Sequence, residues 1–449
     1  MSRFKIRCAA LLAGICATLS LAGPAVSAPA PNTGLTLRSD IAINARLHEL
    51  VFTTPDLNAP TYVRVLLPQG YSSARRYPVL LLLEGCCNTA PQARDWTDPA
   101  KGNAEAIVGS APVIVVMPDS GKGGFYSDWY NNGHGGNPRW ESYHIGQLLP
   151  WVDAHYSTVS GRRGHAVAGF SMGGFGAMSY AARHPDRFVS AASFSGALDS
   201  NDPQAVTTDE MLAYLDNPVP GSLWGPRSTQ EIRWRAHNPW DLAANLRGMH
   251  LALYTGNGNP GPFNKTYDST EGKDVHPQSV NMHNRLNALG IAHEWHDYGG
   301  GSHTWSYWRR DLAEYLPGLM ATFARPPAQP EPFTFTAAEP NFNAYGYQVT
   351  VHRSSMAFAT LSGVSRSGFT LNATTSATVA TANRYRAGTA YQVTITTPHG
   401  KQNQTLHAGR DGRLSITVPL GAVTTNQPDI DALISQRTET ATISISEHI

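Results

Sequence analysis

The 449-residue chain has few cysteines, almost no net charge and a single long apolar run, and each scarcity removes a class of reading. Four cysteines make no disulfide framework; Cys8 and Cys16 lie in the first residues, so a processed chain keeps only the adjacent pair Cys86-Cys87. That pair reads either as a vicinal disulfide or as two buried thiols. No histidine or acidic cluster stands beside it at ligand spacing, so no metal and no cofactor is expected. A net charge of +1 argues against a nucleic-acid partner. There is no internal repeat and no low-complexity tract. The one long apolar run, Ala9 to Ala22, follows Arg3, Lys5 and Arg7 and precedes Val26-Ser27-Ala28, the pattern of a cleaved secretory leader over residues 1–28. It falls short of the roughly 20 residues that span a bilayer. Ile15 between Gly14 and Cys16 also breaks a lipobox. The expected location is therefore secreted or extracellular.

What is present divides at Arg325-Pro-Pro-Ala-Gln-Pro-Glu-Pro332, where four prolines in eight residues exclude helix and central strand alike. Before this linker, apolar runs alternate with helical stretches: Tyr77 to Leu83, Val113 to Met117, His165 to Ala168, Val189 to Phe194, Leu251 to Thr255 and Ala292 to Tyr298. Runs apolar enough for burial on both faces predict a mainly parallel sheet with helices on each side. Leu47 to Thr53 and Tyr62 to Leu67 are expected as an antiparallel edge. After the linker, short Thr/Ser/Val segments such as Tyr347 to Val351, Phe369 to Ala373, Tyr391 to Thr396 and Leu414 to Val418 predict a β-sandwich, with one helix expected at Ile430 to Ser435. The expected organisation is a leader (1–28), an α/β domain (29–324), the linker (325–332) and a β-sandwich accessory domain (333–449).

Gly169-Phe-Ser-Met-Gly-Gly174 directly follows one of the predicted strands. A serine between glycines at a strand-to-helix turn is the nucleophile-elbow pattern, in which Ser171 is held exposed at the start of a helix. A serine hydroxyl needs a base within hydrogen-bond reach and a carboxylate to orient that base. Of 17 histidines, His303 stands on the glycine-rich loop Gly299-Gly-Gly-Ser-His303 after the last predicted strand, whereas His293 and His296 alternate along that strand and read as structural. Asp268, Glu271 and Asp274 all lie where the acid of this fold belongs, and spacing alone leaves the three open. Two backbone N–H groups must face a tetrahedral oxyanion; the elbow supplies Met172, and the strand-to-turn segment Leu80-Leu-Leu-Leu-Glu-Gly85-Cys86 supplies Cys86.

Further blocks carry a family resemblance. Gly124-Phe-Tyr-Ser-Asp-Trp-Tyr130, Trp140-Glu141, Trp224-Gly-Pro226, Asn238-Pro239, Tyr254-Thr-Gly-Asn-Gly258 and Ser302-His-Thr-Trp305 resemble, in order, the blocks of the secreted antigen 85 mycolyltransferases, within the esterase D-like group of α/β-hydrolases. The resemblance covers roughly residues 35 to 320 and implies an α/β-hydrolase fold. It puts the nucleophile on Ser171, the base on His303 and the acid on Glu271, which lies at the family's spacing before the histidine. The oxyanion amides fall on Cys86 and Met172, and Glu84 and Trp305 would border the sugar end of the cleft. The chain departs from the pattern at Glu84, where the family has aspartate, at the Cys86-Cys87-Asn88 turn, which replaces a sugar-binding arginine, and in having a C-terminal sandwich.

The implied activity is a serine-dependent esterase or acyltransferase acting through an acyl-serine on an acyl ester, with a carbohydrate alcohol as acceptor and cell-wall association through the C-terminal domain. Plain hydrolysis by water is the alternative. A secreted binding protein on a hydrolase scaffold is the reading from another class. Trp96, Phe125, Trp129, Tyr130, Trp140 and Trp305 are the aromatic residues suited to a sugar groove.

Overall fold

The computed structural model describes residues 34–87, 91–421 and 437–447. The expected leader, the Asn88 position and the helix expected at Ile430 to Ser435 lie outside the described residues. In chain order the first nine strands are β1 (Thr36–Ala42), β2 (Leu47–Thr53), β3 (Thr61–Leu66), β4 (Val79–Leu83), β5 (Ile114–Pro118), β6 (His165–Phe170), β7 (Ser190–Phe194), β8 (His250–Thr255) and β9 (Glu294–Asp297). They form one sheet in the order β1-β2-β3-β5-β4-β6-β7-β8-β9. From β5 to β9 every pairing is parallel, while β1, β2 and β3 run antiparallel at the other side.

The central strands are buried at every position because both faces are covered. Within β4, Val79, Leu81 and Leu83 pack into one core cluster while Leu80 and Leu82 pack into the other, the two-residue alternation of a strand sandwiched between layers. The covering helices are α1 (Ala104–Val108), α2 (Leu149–His155), α3 (Met172–Arg183), α4 (Pro203–Ala213), α5 (Arg227–His237), α6 (His276–Ala288) and α7 (Trp305–Ala324). This is the α/β-hydrolase arrangement expected from the sequence. β1 was not expected: its residues are almost all exposed, so it carries no apolar signal and is held by its ladder with β2.

After α7 the chain crosses residues 325–332 without a helix or strand and enters two antiparallel sheets, one of six strands and one of four, which share a single apolar core. The six parallel strands end on one edge of the large sheet, and the loops at that edge carry Ser171, the Gly85-Cys86 turn and His303.

Candidate active site

The elbow forms because β6 must turn into α3 within one residue. Ser171 takes φ 54° and ψ −125°, a conformation that side chains rarely adopt. The flanking glycines are steric necessities: a Cβ on Gly169 would stand 2.4 Å from the Gly173 carbonyl oxygen, and one on Gly173 would stand 2.5 Å from that of Glu84. Met172 opens α3, so its N–H is among the first-turn donors that have no intrahelical acceptor.

His303 lies beside this serine, its Nε2 2.8 Å from Ser171 Oγ. On the other side of the ring, His303 Nδ1 is 2.9 Å from Glu271 Oε2. Glu271 is fully buried, and its second oxygen, Oε1, accepts from Ser195 Oγ (2.8 Å), Thr255 Oγ1 (3.1 Å) and the Gly256 N–H (2.8 Å). Three donors on one oxygen fix the carboxylate and leave the other to the imidazole.

The structure separates the three acids that spacing left open. Asp268 Oδ2 accepts the backbone N–H of His303 at 2.8 Å, and its Oδ1 accepts from Thr270 and Glu271, so it pins the loops rather than the ring. Asp274 lines the cavity and accepts from Gln278 Nε2 at 3.1 Å, with burial holding its carboxyl above the usual range. Glu271 alone of the three reaches the imidazole.

Beside the elbow, the turn after β4 is closed by a disulfide between Cys86 and Cys87, one of the two outcomes the sequence left open. The Cys87 N–H donates to the Lys122 carbonyl at 2.9 Å, which ties the turn to the loop after β5. Both cysteines line a cavity of about 820 Å³ together with Ser171, Met172 and His303. One wall is aromatic: Phe170, Trp305 and Trp308 pack edge-on or stacked at 4.1–5.2 Å between ring centroids. The facing wall, from α4 and the turn before α6, presents Thr208, Met211, Leu212, Lys273 and Asp274.

Two expectations need correction. Glu84 does not border the cleft; it is fully buried at the end of β4, and desolvation together with nearby Asp95 and Asp119 holds its carboxyl well above the ordinary range. The side chain after a central strand's last residue continues the strand alternation into the layer beneath the turn. The aromatic groove is likewise smaller than expected. Trp96 is wholly buried, with its indole N–H donating to the Leu83 carbonyl, and of the six aromatics only Phe125 and Trp305 line this cavity. Sequence reasoning missed Ser195, Thr255 and Trp308. Ser195 follows β7 with φ 49°, and Trp308 lies edge-on to the His303 ring at 4.9 Å.

Among the described residues no group of three or more His, Cys, Asp or Glu side chains could hold a metal ion, and no helix is long and apolar enough to cross a membrane.

The model of the family described as putative esterase matches residues 54–319. An esterase of Mycobacterium tuberculosis is 36% identical over 266 residues, covering 57% of this chain and 55% of that protein. The diacylglycerol acyltransferase/mycolyltransferase Ag85B of Mycolicibacterium smegmatis is 30% identical over 234 residues, covering 49% of this chain and 70% of that protein. The chain thus spans about half the length of the first of these relatives. Among solved structures, an S-formylglutathione hydrolase from Agrobacterium tumefaciens aligns with a TM-score of 0.51 at 18% identity over 64% of this chain and 99% of its own. MPT51 of Mycobacterium tuberculosis aligns with a TM-score of 0.50 at 23% identity over 60% of this chain and 96% of its own. At these identities the likeness concerns the fold.

Proposed function

The chain belongs to the putative esterase family, and we propose that it is a secreted serine esterase/acyltransferase that works through an acyl group carried on Ser171. The observation that carries the reading is the continuous chain of contacts from Ser171 Oγ through the His303 ring to the buried, three-fold anchored Glu271 carboxylate. In this reading His303 Nε2 takes the Ser171 proton as Oγ attacks the ester carbonyl carbon. The negative oxygen that forms is met by the N–H groups of Cys86 and Met172. Collapse breaks the bond to the alcohol oxygen, which leaves with the proton held by His303. An incoming alcohol or water then gives its proton to His303 and takes the acyl group by the same steps in reverse. Glu271 keeps the imidazole in the tautomer that presents Nε2 to the serine and stabilises the imidazolium.

Transfer and hydrolysis differ only in which nucleophile enters second. Similarity to an Ag85 mycolyltransferase favours an alcohol acceptor of carbohydrate type, and Trp305 at the cavity wall offers it an apolar face. In this reading residues 1–28 are removed on export, residues 29–324 form the catalytic domain, 325–332 are a linker, and the sandwich at 333–449 is an accessory that associates with the cell wall.

Ser171→Ala is expected to abolish labelling by a fluorophosphonate and turnover of p-nitrophenyl butyrate; retained turnover would overturn the assignment. Mass spectrometry of products from a sugar acyl ester decides the second step, since a diacylated sugar marks transfer and free acid marks hydrolysis.

A further inference from the structure

A second cavity, of about 440 Å³, shares no lining residue with the first. Two tryptophans, Trp129 and Trp140, and three asparagines, Asn58, Asn137 and Asn217, line it together with Asp119 and Asp216. The groups are held in place. Trp129 Nε1–H donates to the Gly124 carbonyl at 3.1 Å, and Trp140 stacks on His144 with centroids 5.8 Å apart. The Asn137 amide donates to Asn58 Oδ1 at 3.1 Å, joining two loops that border the cavity. Asp119 accepts the N–H groups of Ala93 (2.7 Å) and Tyr62 (3.3 Å), and Asp216 accepts those of Lys122 (3.0 Å) and Gly123 (2.8 Å).

The chemistry selects a ligand. Two carboxylates against one lysine, Lys122, disfavour an anion, and a purely apolar ligand would take water from the asparagine amides without replacing it. A sugar ring has apolar C–H faces for indoles and hydroxyls that both donate and accept, matching amides and backbone-anchored carboxylates. We propose that this second cavity binds a neutral sugar ring at a site separate from the one around Ser171.

Its place in the fold puts such a ligand beside the chemistry. The end of α4 has Leu212 on the first cavity, and the segment after it has Asp216 and Asn217 on the second. The same loop whose Lys122 lines the second cavity accepts the Cys87 N–H of the oxyanion turn. The two cavities are thus lined by neighbouring residues of the same two segments.

The test uses the full chain with Ser171 blocked by a fluorophosphonate, so that the first cavity is closed to sugar. Tryptophan fluorescence and calorimetry are followed during addition of trehalose, xylobiose or glucuronate. A neutral disaccharide is expected to give saturable quenching, and glucuronate none. The double variant Asn58→Ala/Asn137→Ala is expected to lose affinity by about 10-fold while, unblocked, it turns over p-nitrophenyl butyrate like the parent, which reports that it is folded. Trp140→Phe provides a second variant, with reduced quenching at the same folded-state control. No saturation by either disaccharide at up to about 50 mM, or unchanged affinity in the double variant, overturns the proposal, as does sugar binding that the phosphonate abolishes. Failure of the phosphonate to label Ser171 would instead sink the acyl-serine reading, and the sugar titration is then run on the unlabelled chain.

Discussion

Glu271 holds its position through three donors on one oxygen, so the two carboxylates nearest in sequence serve as controls for its role. Glu271→Gln is expected to lower kcat/KM for p-nitrophenyl butyrate by about 10³- to 10⁴-fold, because an amide no longer fixes the tautomer or balances the imidazolium. Asp274→Asn should change it by less than about 3-fold, since Asp274 bonds Gln278 and not the ring. Equal losses in the two variants would remove Glu271 from the reading. Ser195→Ala takes one of the three donors and is expected to cost about 10-fold in kcat/KM, the worth of one hydrogen bond to a charged group. Glu84 makes a prediction of a different kind. Its folded-state pKa is raised well above the ordinary 4.5, by desolvation first and by Asp95 and Asp119 beside it, so burial favours the protonated form. A raised folded pKa adds stability that is fully present below about pH 4.5 and is lost as pH rises, because the unfolded chain gives up the proton first. Glu84→Gln should therefore raise Tm progressively above that of the parent between pH 5 and pH 8 in thermal melts; a gap that shrinks over that range would contradict a neutral Glu84. At this scale Ser171 and His303 were legible because each stands in a short glycine-rich signature at a strand end. The acid was chosen by resemblance alone, since a buried carboxylate and a solvated loop carboxylate look identical in sequence. Ser195 left no signal because a lone serine after a buried strand has no pattern to belong to.

At the level of elements, the elbow is a close-packed crossing of three backbones, those of β6, α3 and the turn after β4. Gly173→Ala would place a methyl 2.5 Å from the Glu84 carbonyl oxygen, and neither backbone has a flexible end that could give way. The variant is expected to lose about 1–3 kcal/mol in denaturant unfolding. It should lose more activity than stability, because the same shift moves the Met172 amide away from the oxyanion; full activity in a folded G173A chain would contradict that placement. The turn on the opposite side is stiffened by the Cys86–Cys87 disulfide and by the Cys87 bond to Lys122. Strands that are buried on both faces were readable to within a residue or two: β5 begins one residue after the expected Val113 start, and β7 begins one residue after the expected Val189. In the C-terminal sheets Tyr347 to Val351 was matched in full, while Phe333–Ala337, Gly400–His407 and Glu439–Glu447 were not among the segments named. Gly400–His407 is exposed at almost every position and so carries no alternation to read, whereas Phe333–Ala337 and Glu439–Glu447 do alternate buried and exposed residues. Trp96 was expected in a groove and lies in the core, since indoles serve cores and clefts alike.

Across the whole molecule, the C-terminal sheets meet the hydrolase fold at the end of α3 opposite to Ser171. Asn245 exchanges two hydrogen bonds with the backbone of Thr336, at 2.8 and 2.9 Å, and Ile232 and Ala236 of α5 pack with Ala338 and Met356. Arg183, the last residue of α3, pairs with Glu339 at 2.7 Å while keeping Glu141 at 2.9 Å. A twelve-residue helix separates this contact from the elbow, a length on the order of 18 Å. No residue after Trp308 lines the Ser171 cavity among the described residues. The sheets therefore brace the far end of the helix that bears the serine without shaping its pocket, and stability and turnover should respond separately to changes at this contact. Glu339→Ala in the full chain leaves Arg183 with one carboxylate of two. It is expected to lower unfolding free energy by about 1–3 kcal/mol and to leave kcat/KM for p-nitrophenyl butyrate within about 2-fold of the parent. The measurement pairs thermal melts with initial rates on the same preparation. A large change in kcat without a change in melting temperature would mean that α3 transmits strain from the sheets to the elbow, and the C-terminal region would then be a regulator of the site rather than a brace and an accessory.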